Sequence, residues 1–285
     1  MREVTLAATQ FACSGNPEEN LQTAESLVRE AANQGANIVL LQELFHGPYF
    51  CKDQRVDYLG NARPLQDNPL IEHFRTVAKE LGVVLPVSYF EEDGNRQFNS
   101  IAIVDATGEV LGNYRKAHIP DGPGYQEKFY FSPGNSGFRV WETRFGKLGV
   151  GICWDQWFPE AARCMALMGA EMLMYPTAIG SEPKAPEYNS SLHWQNVMRG
   201  HAGANLMPLV ASNRIGSETS DDGVEVTFYG SSFISDWQGE KLREADQATK
   251  SVLVESFDLD EIAEIRRAWG VFRDRRPEMY GRLVE

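Results

Sequence analysis

Lys147-Leu-Gly-Val-Gly-Ile-Cys-Trp-Asp-Gln-Trp-Phe-Pro-Glu160 is the stretch from which the fold can be read. Its apolar, partly β-branched run up to Cys153 has the pattern of a buried strand. Pro159-Glu-Ala-Ala-Arg-Cys-Met-Ala-Leu-Met168 then opens as a helix, with proline and an acid in the first turn. Strand, sharp turn and helix together lift the thiol out of a sheet and aim a helix N-terminus towards it. Such a position lowers a thiol's pKa and favours the reactive thiolate. The alternative is a buried cysteine serving as a small hydrophobe.

The same alternation runs outward in both directions and points to an α/β class. Val4–Phe11 reads as a strand, and Asn16-Pro17-Glu18-Glu19 as a helix start. Leu21, Ala24, Val28, Ala31 and Ala32 carry the helical period as far as Gly35. Asn37–Glu43 reads as a strand, Pro69–Leu81 as a helix and Val83–Phe90 as a strand. Asn99–Leu111 and Gly230–Leu242 share one plan: strand, Asp-x-x-Gly turn, strand. That match suggests two similar halves. Between the hairpins, Glu171–Pro176 and Met207–Ile215 read as strands and Ser190–Asn205 as a helix. Ser251–Phe257 and Leu259–Trp269 read as the last strand and helix. Residues 270–285 mix charge with aromatics and have no helical period, which suits an arm lying on another surface. No linker divides the chain, so residues 1–285 are read as one domain.

Composition restricts function. The chain has 285 residues, 42% hydrophobic and 24% charged, enough for a substantial core without metal or disulfide. With 27 basic and 40 acidic residues its net charge is −13, which argues against nucleic acid and anionic membranes but tolerates a small cationic substrate. The N-terminus runs directly into a strand pattern, and no apolar run is long enough to span a bilayer, so a cytoplasmic location is expected. Cys13, Cys51, Cys153 and Cys164 have no CxxC spacing and no histidine pair, so free thiols and no zinc site are expected.

Three polar residues share one placement. Glu43, Lys116 and Cys153 each end a strand pattern, and α/β sites gather beyond the carboxyl ends of strands. An acid could take the thiol proton, an ammonium could stabilise thiolate and oxyanion, and the N–H of Trp154 is placed to donate to the same oxyanion. His118 is a competing base, because Cys–His pairs are a familiar means of activation. The residues alone leave that choice open.

Leu40-Leu-Gln-Glu43-Leu, Tyr114-Arg-Lys116-Ala-His-Ile-Pro and Gly151-Ile-Cys153-Trp-Asp-Gln-Trp-Phe-Pro-Glu160 together resemble the nitrilase superfamily of carbon–nitrogen hydrolases. The resemblance extends from Val4 to the Arg275-Arg-Pro-Glu-Met-Tyr arm. It implies a four-layer-forming α-β-β-α sandwich, a Glu–Lys–Cys triad, no metal or organic cofactor, and homo-oligomers; a partner subunit is then the expected surface for the 270–285 arm. Carried over, Glu43 is general base, Lys116 electrostatic stabiliser and Cys153 nucleophile. Glu127 falls where the family has a second glutamate orienting the lysine or the substrate, and His118 takes a supporting role.

Within that superfamily, the segments after Cys153 and from His118 to Phe131 most resemble enzymes acting on carbamoylated diamines. Relatives that hold a substrate carboxylate are expected to place arginine just after the cysteine, where a guanidinium grips both oxygens. This chain has Asp155, Gln156 and Trp157 there. Asp155, Asp121, Glu182 and Glu187 are candidate partners for a substrate ammonium, with Tyr49, Tyr125 and Trp154 as aromatic walls. Asp155 could instead cap the following helix. The expected substrate is thus a small cationic carbamoyl amine. Other readings are an ω-amide or carbamoyl-β-alanine hydrolase, a non-catalytic binding protein on the same fold, and a thiol redox protein using Cys153.

Overall fold

The structure is a computed structural model that describes all 285 residues. In chain order its elements are β1 (Glu3–Gln10), α1 (Pro17–Asn33), β2 (Ile38–Leu40), α2 (Pro69–Leu81), β3 (Leu85–Asp93), β4 (Arg96–Val104), β5 (Val110–Arg115), β6 (Val140–Thr143), β7 (Gly146–Val150), α3 (Pro159–Leu167), β8 (Met172–Pro176), α4 (Ser191–Asn205), β9 (Leu209–Ser212), β10 (Ser217–Thr219), β11 (Glu225–Thr227), β12 (Phe233–Ser235), β13 (Lys241–Glu244), β14 (Ser251–Asp258) and α5 (Leu259–Trp269).

Two sheets stack face to face. One runs β13-β12-β9-β8-β7-β6. The other runs β14-β1-β2 and continues through a parallel bridge, Ile38 to Val84, into β3-β4-β5. Each sheet has a parallel centre, an antiparallel hairpin at one edge and an antiparallel strand at the other. The halves therefore repeat: β1, α1, β2, α2, β3, β4, β5 correspond to β7, α3, β8, α4, β9, β12, β13. The two hairpin turns share the same main-chain hydrogen bonds. Asp105 N–H donates to Glu109 O and Gly108 N–H to Asp105 O; Asp236 N–H donates to Glu240 O and Gly239 N–H to Asp236 O. Gly108 and Gly239 sit at φ +82° and +83°, a region open to glycine at no steric cost.

Period-two alternation builds the layers. Val4, Leu6 and Ala8 of β1 face the other sheet with Ile38, Leu40, Val150, Met174 and Val210. Ala7, from the opposite face, packs with Ala24, Val28, Phe74 and Val77 of α1 and α2. Trp194, Met198 and Met165 of α4 and α3 cover the second sheet in the same way. The result is an α-β-β-α sandwich. α2 has the predicted bounds because Asn68 caps it, accepting the Leu70 N–H at 3.1 Å, and Gly82 ends it at φ +69°. It buries Leu70, Ile71, Phe74 and Val77, each worth roughly 1.5–3 kcal/mol. Phe74→Ala would cost about 3–5 kcal/mol. No helix is long and apolar enough to cross a membrane.

Candidate active site

Glu43, Lys116 and Cys153 lie one to three residues beyond the ends of β2, β5 and β7. The first two come from one sheet and the third from the other, so they meet where the sheets stack. β2 stops at Leu40, earlier than the expected strand end at Glu43, and the chain then turns through Leu44 at φ +49°. Cys153 sits at φ +41°, a conformation that costs on the order of 1–3 kcal/mol for a residue with a Cβ. The packing around the turn enforces it. A Cβ on Gly151 would lie 2.7 Å from the Tyr175 ring, so only glycine permits that approach.

A five-residue 3-10 turn, Cys153–Trp157, separates the thiol from α3. The expected downward shift of the thiol by a helix N-terminus is therefore corrected. Burial pushes the Cys153 thiol well above the usual range and Glu43 adds to this; Lys116 and the Ala178 N–H only partly oppose them.

The charged group beside it is tightly bonded. Lys116 Nζ donates to Glu43 Oε1 at 2.8 Å and to Glu127 Oε1 and Oε2 at 2.9 and 2.7 Å. All three side chains are fully enclosed. Burial alone would push the lysine down, but the two carboxylates more than reverse this, so it stays charged. Burial raises the Glu127 carboxyl to about 7 against the pull of Lys116. Asn99 Nδ2 also donates to Glu43 Oε1, at 2.7 Å, while Glu43 Oε2 is buried with no partner. Glu43 therefore presents one bound oxygen and one free oxygen, the arrangement a proton acceptor needs. Nothing in the sequence signalled Asn99, which opens a common hairpin pattern.

A cavity of about 470 Å³ opens on Cys153 and Glu127. Tyr49, Asp121, Tyr125, Trp154 and Glu182 line it, together with Trp157, Tyr188 and His193, which sequence reasoning did not single out. Tyr49 does more than form a wall: its hydroxyl donates to Glu127 Oε1 at 2.7 Å. The Tyr125 hydroxyl is engaged by the main chain of Gly180 and Ser181, so this residue offers its ring to the cavity. Glu182 is half-buried and accepts from Ser190 Oγ at 3.2 Å. The lining contains no arginine.

Two expected cation partners are corrected. Asp155 is wholly buried outside the cavity lining, and its oxygens are spent on Ile152 N–H, Tyr114 Oη, His118 N–H and His118 Nδ1 at 2.7–3.0 Å. It ties the cysteine turn to the segment carrying Lys116. Glu187 points to solvent and also lies outside the lining. His118, the competing base, is held by Asp155 and stacked on Phe158 with ring centroids 3.6 Å apart, and it lies outside the cavity lining. The four cysteines are free, and no cluster of three or more His, Cys, Asp or Glu side chains is arranged to hold a metal ion.

This fold and site define a class: the chain belongs to the carbon–nitrogen hydrolase family, whose model matches residues 5–267. It is 59% identical to the N-carbamoylputrescine amidase of Arabidopsis thaliana, covering 99% of this chain and 96% of that one. It is 52% identical to a citrullinase of Francisella tularensis, covering 100% and 99%. A crystal structure of a carbon–nitrogen hydrolase from Helicobacter pylori G27 superposes with a TM-score of 0.93 at 38% identity, covering 99% of both chains.

Proposed function

We propose that the protein hydrolyses N-carbamoylputrescine to putrescine, carbon dioxide and ammonia, a step of polyamine synthesis. The observation that carries this reading is the cavity over Cys153: an acid, Glu182, reaches into it among aromatic rings, and no arginine is present to hold a carboxylate. The full-length relationship to N-carbamoylputrescine amidases supports the same substrate.

Because its proton is held tightly, the Cys153 thiol gives it up as it attacks. Its sulfur bonds to the carbamoyl carbon while Glu43 Oε2 takes the proton. Lys116 Nζ and the Trp154 N–H hold the developing oxyanion. Glu43 returns the proton to the departing nitrogen, leaving a carbamoyl thioester. Glu43 then deprotonates a water that attacks this thioester and frees the thiol. Whichever nitrogen leaves first, one water is consumed and the carbamic acid formed falls apart to carbon dioxide and an amine or ammonia. Glu127 and Tyr49 keep Lys116 in place, and Glu182, with Asp121 at the rim, receives the distal ammonium. Residues 1–285 act as one hydrolase domain. The 270–285 arm packs on a second copy, a reading supported by the exposure of Met279, Leu283, Val284 and nearby Trp269.

Cys153→Ala tests the assignment. The variant should fold and lose turnover of N-carbamoylputrescine, and an active variant would sink it.

The relationship to a citrullinase favours a second substrate, a ureido amino acid. Lys184 at the cavity rim is the cation that could meet its carboxylate.

A further inference from the structure

One buried cation has no part in the chemistry described above. Arg214 follows β9 and is fully enclosed. Burying a guanidinium is expensive unless its donors are met. Here they converge on a single segment. Nε and Nη2 donate to Glu43 O at 3.2 and 3.1 Å, Nη2 to Leu44 O at 2.5 Å, and Nη1 to Gly47 O at 3.1 Å. This segment has already left the sheet, since β2 ends at Leu40, and it turns at Leu44 in the left-handed region, so these carbonyls have no strand to pair with. The guanidinium takes that strand's place.

Its remaining bond extends the arrangement. Nη1 also donates to Glu218 Oε1 at 3.2 Å. Glu218 Oε2 accepts the Tyr49 N–H at 2.8 Å and Lys52 Nζ at 3.3 Å. The Tyr49 hydroxyl holds Glu127, Glu127 holds Lys116, and Lys116 holds Glu43, whose carbonyl returns to Arg214. The bonds close a ring. The Arg214 guanidinium also lies 5.8 Å from the centroid of the Tyr49 ring, bracing the same residue from a second direction.

We infer that Arg214 and Glu218 are positioning residues for the reaction. They touch neither substrate nor thiol. They fix the main chain on both sides of the charged group, Glu43 on one and Tyr49 on the other, so that the unpartnered Glu43 Oε2 keeps the position from which it takes the Cys153 proton. This rests on the reading of Glu43 as the base. A displacement of about 1 Å in such a group can cost roughly 100-fold in rate.

The test uses Arg214→Lys, which keeps the charge and loses the fork, and Glu218→Gln, which keeps an acceptor and loses the charge. Three quantities are read for each: kcat and KM on N-carbamoylputrescine, and the rate at which iodoacetamide alkylates Cys153 at pH 7, followed by peptide mass spectrometry. Arg214→Lys should lower kcat and the alkylation rate together by about 100-fold, with KM within about twofold. Glu218→Gln should do the same by about tenfold. Unchanged kcat and alkylation, whatever the melting temperature, would reduce the pair to structural filler. A rise in KM alone, or a fall in kcat without slower alkylation, would equally overturn the inference. If Arg214→Lys does not fold, Glu218→Gln decides by itself. The alkylation arm needs no carbamoyl substrate, so a parent enzyme inactive on N-carbamoylputrescine would refute the substrate and leave this comparison standing.

Discussion

Lys116 Nζ lies 2.8 Å from Glu43 Oε1, and neither side chain has surface open to solvent. The ammonium thus neutralises Glu43 through one oxygen and leaves the other free. Glu43→Gln removes the proton acceptor and keeps the shape. It should lower kcat by about 10²–10⁴ with little change in KM. Glu127→Gln still accepts from Lys116 and Tyr49 and should lose less. Steady-state kinetics of the two variants checks the order, and equal losses would mean that Glu127 shares the proton transfer.

The Cys153 thiol is pushed up by burial, so at neutral pH little thiolate exists in the free enzyme. For a raised acid, each unit of pH increases the thiolate about tenfold until the raised value is reached. Alkylation of Cys153 should therefore climb steadily from pH 7 to pH 9 with no plateau. A plateau in the neutral range would mean a preformed thiolate, and with it a different division of labour between Glu43 and Lys116.

Asp155 is bonded to four donors, and losing it would strand them in the interior. Asp155→Ala should destabilise the protein by about 3–5 kcal/mol in urea unfolding, and Asp155→Asn by less because it keeps an acceptor. Neither should shift the preference for a cationic over a neutral substrate. A specific loss of that preference in Asp155→Asn would restore Asp155 as an ammonium partner.

Glu182 is one of three acids in the cavity walls, with Asp121 and Glu127, and Glu127 is already engaged by Lys116 and Tyr49. Glu182→Gln should raise KM for N-carbamoylputrescine about tenfold, near 1.4 kcal/mol, and leave N-carbamoylbutylamine, which has no ammonium, unaffected. If both substrates weaken alike, Glu182 shapes the loop instead of reading charge.

The sandwich was legible because its signals are local and repeated. Asn68, Pro69 and Gly82 bound α2, and the two Asp-x-x-Gly turns marked equivalent hairpins. Glu43, Lys116 and Cys153 were legible as polar residues at strand ends. What failed depended on orientation. Asp155 and Glu182 are both acids in loops near the thiol, and only the three-dimensional path of the chain shows that one is consumed by buried donors and the other meets the cavity. Arg214 and Asn99 leave no local trace of their role, because Glu43, which both of them bond, lies 171 and 56 residues away in sequence. The sequence pattern suggests a lowered thiol, but the short turn at Cys153–Trp157 sets α3 back from it and burial pushes it up instead.

The most direct test of the account is a comparison of kcat/KM for N-carbamoylputrescine, N-carbamoylbutylamine, citrulline and N-carbamoyl-β-alanine on the parent enzyme. N-carbamoylputrescine should lead, loss of its ammonium should cost at least about tenfold, and N-carbamoyl-β-alanine should be the poorest. A preference for N-carbamoyl-β-alanine, or equal rates with and without the ammonium, would contradict it.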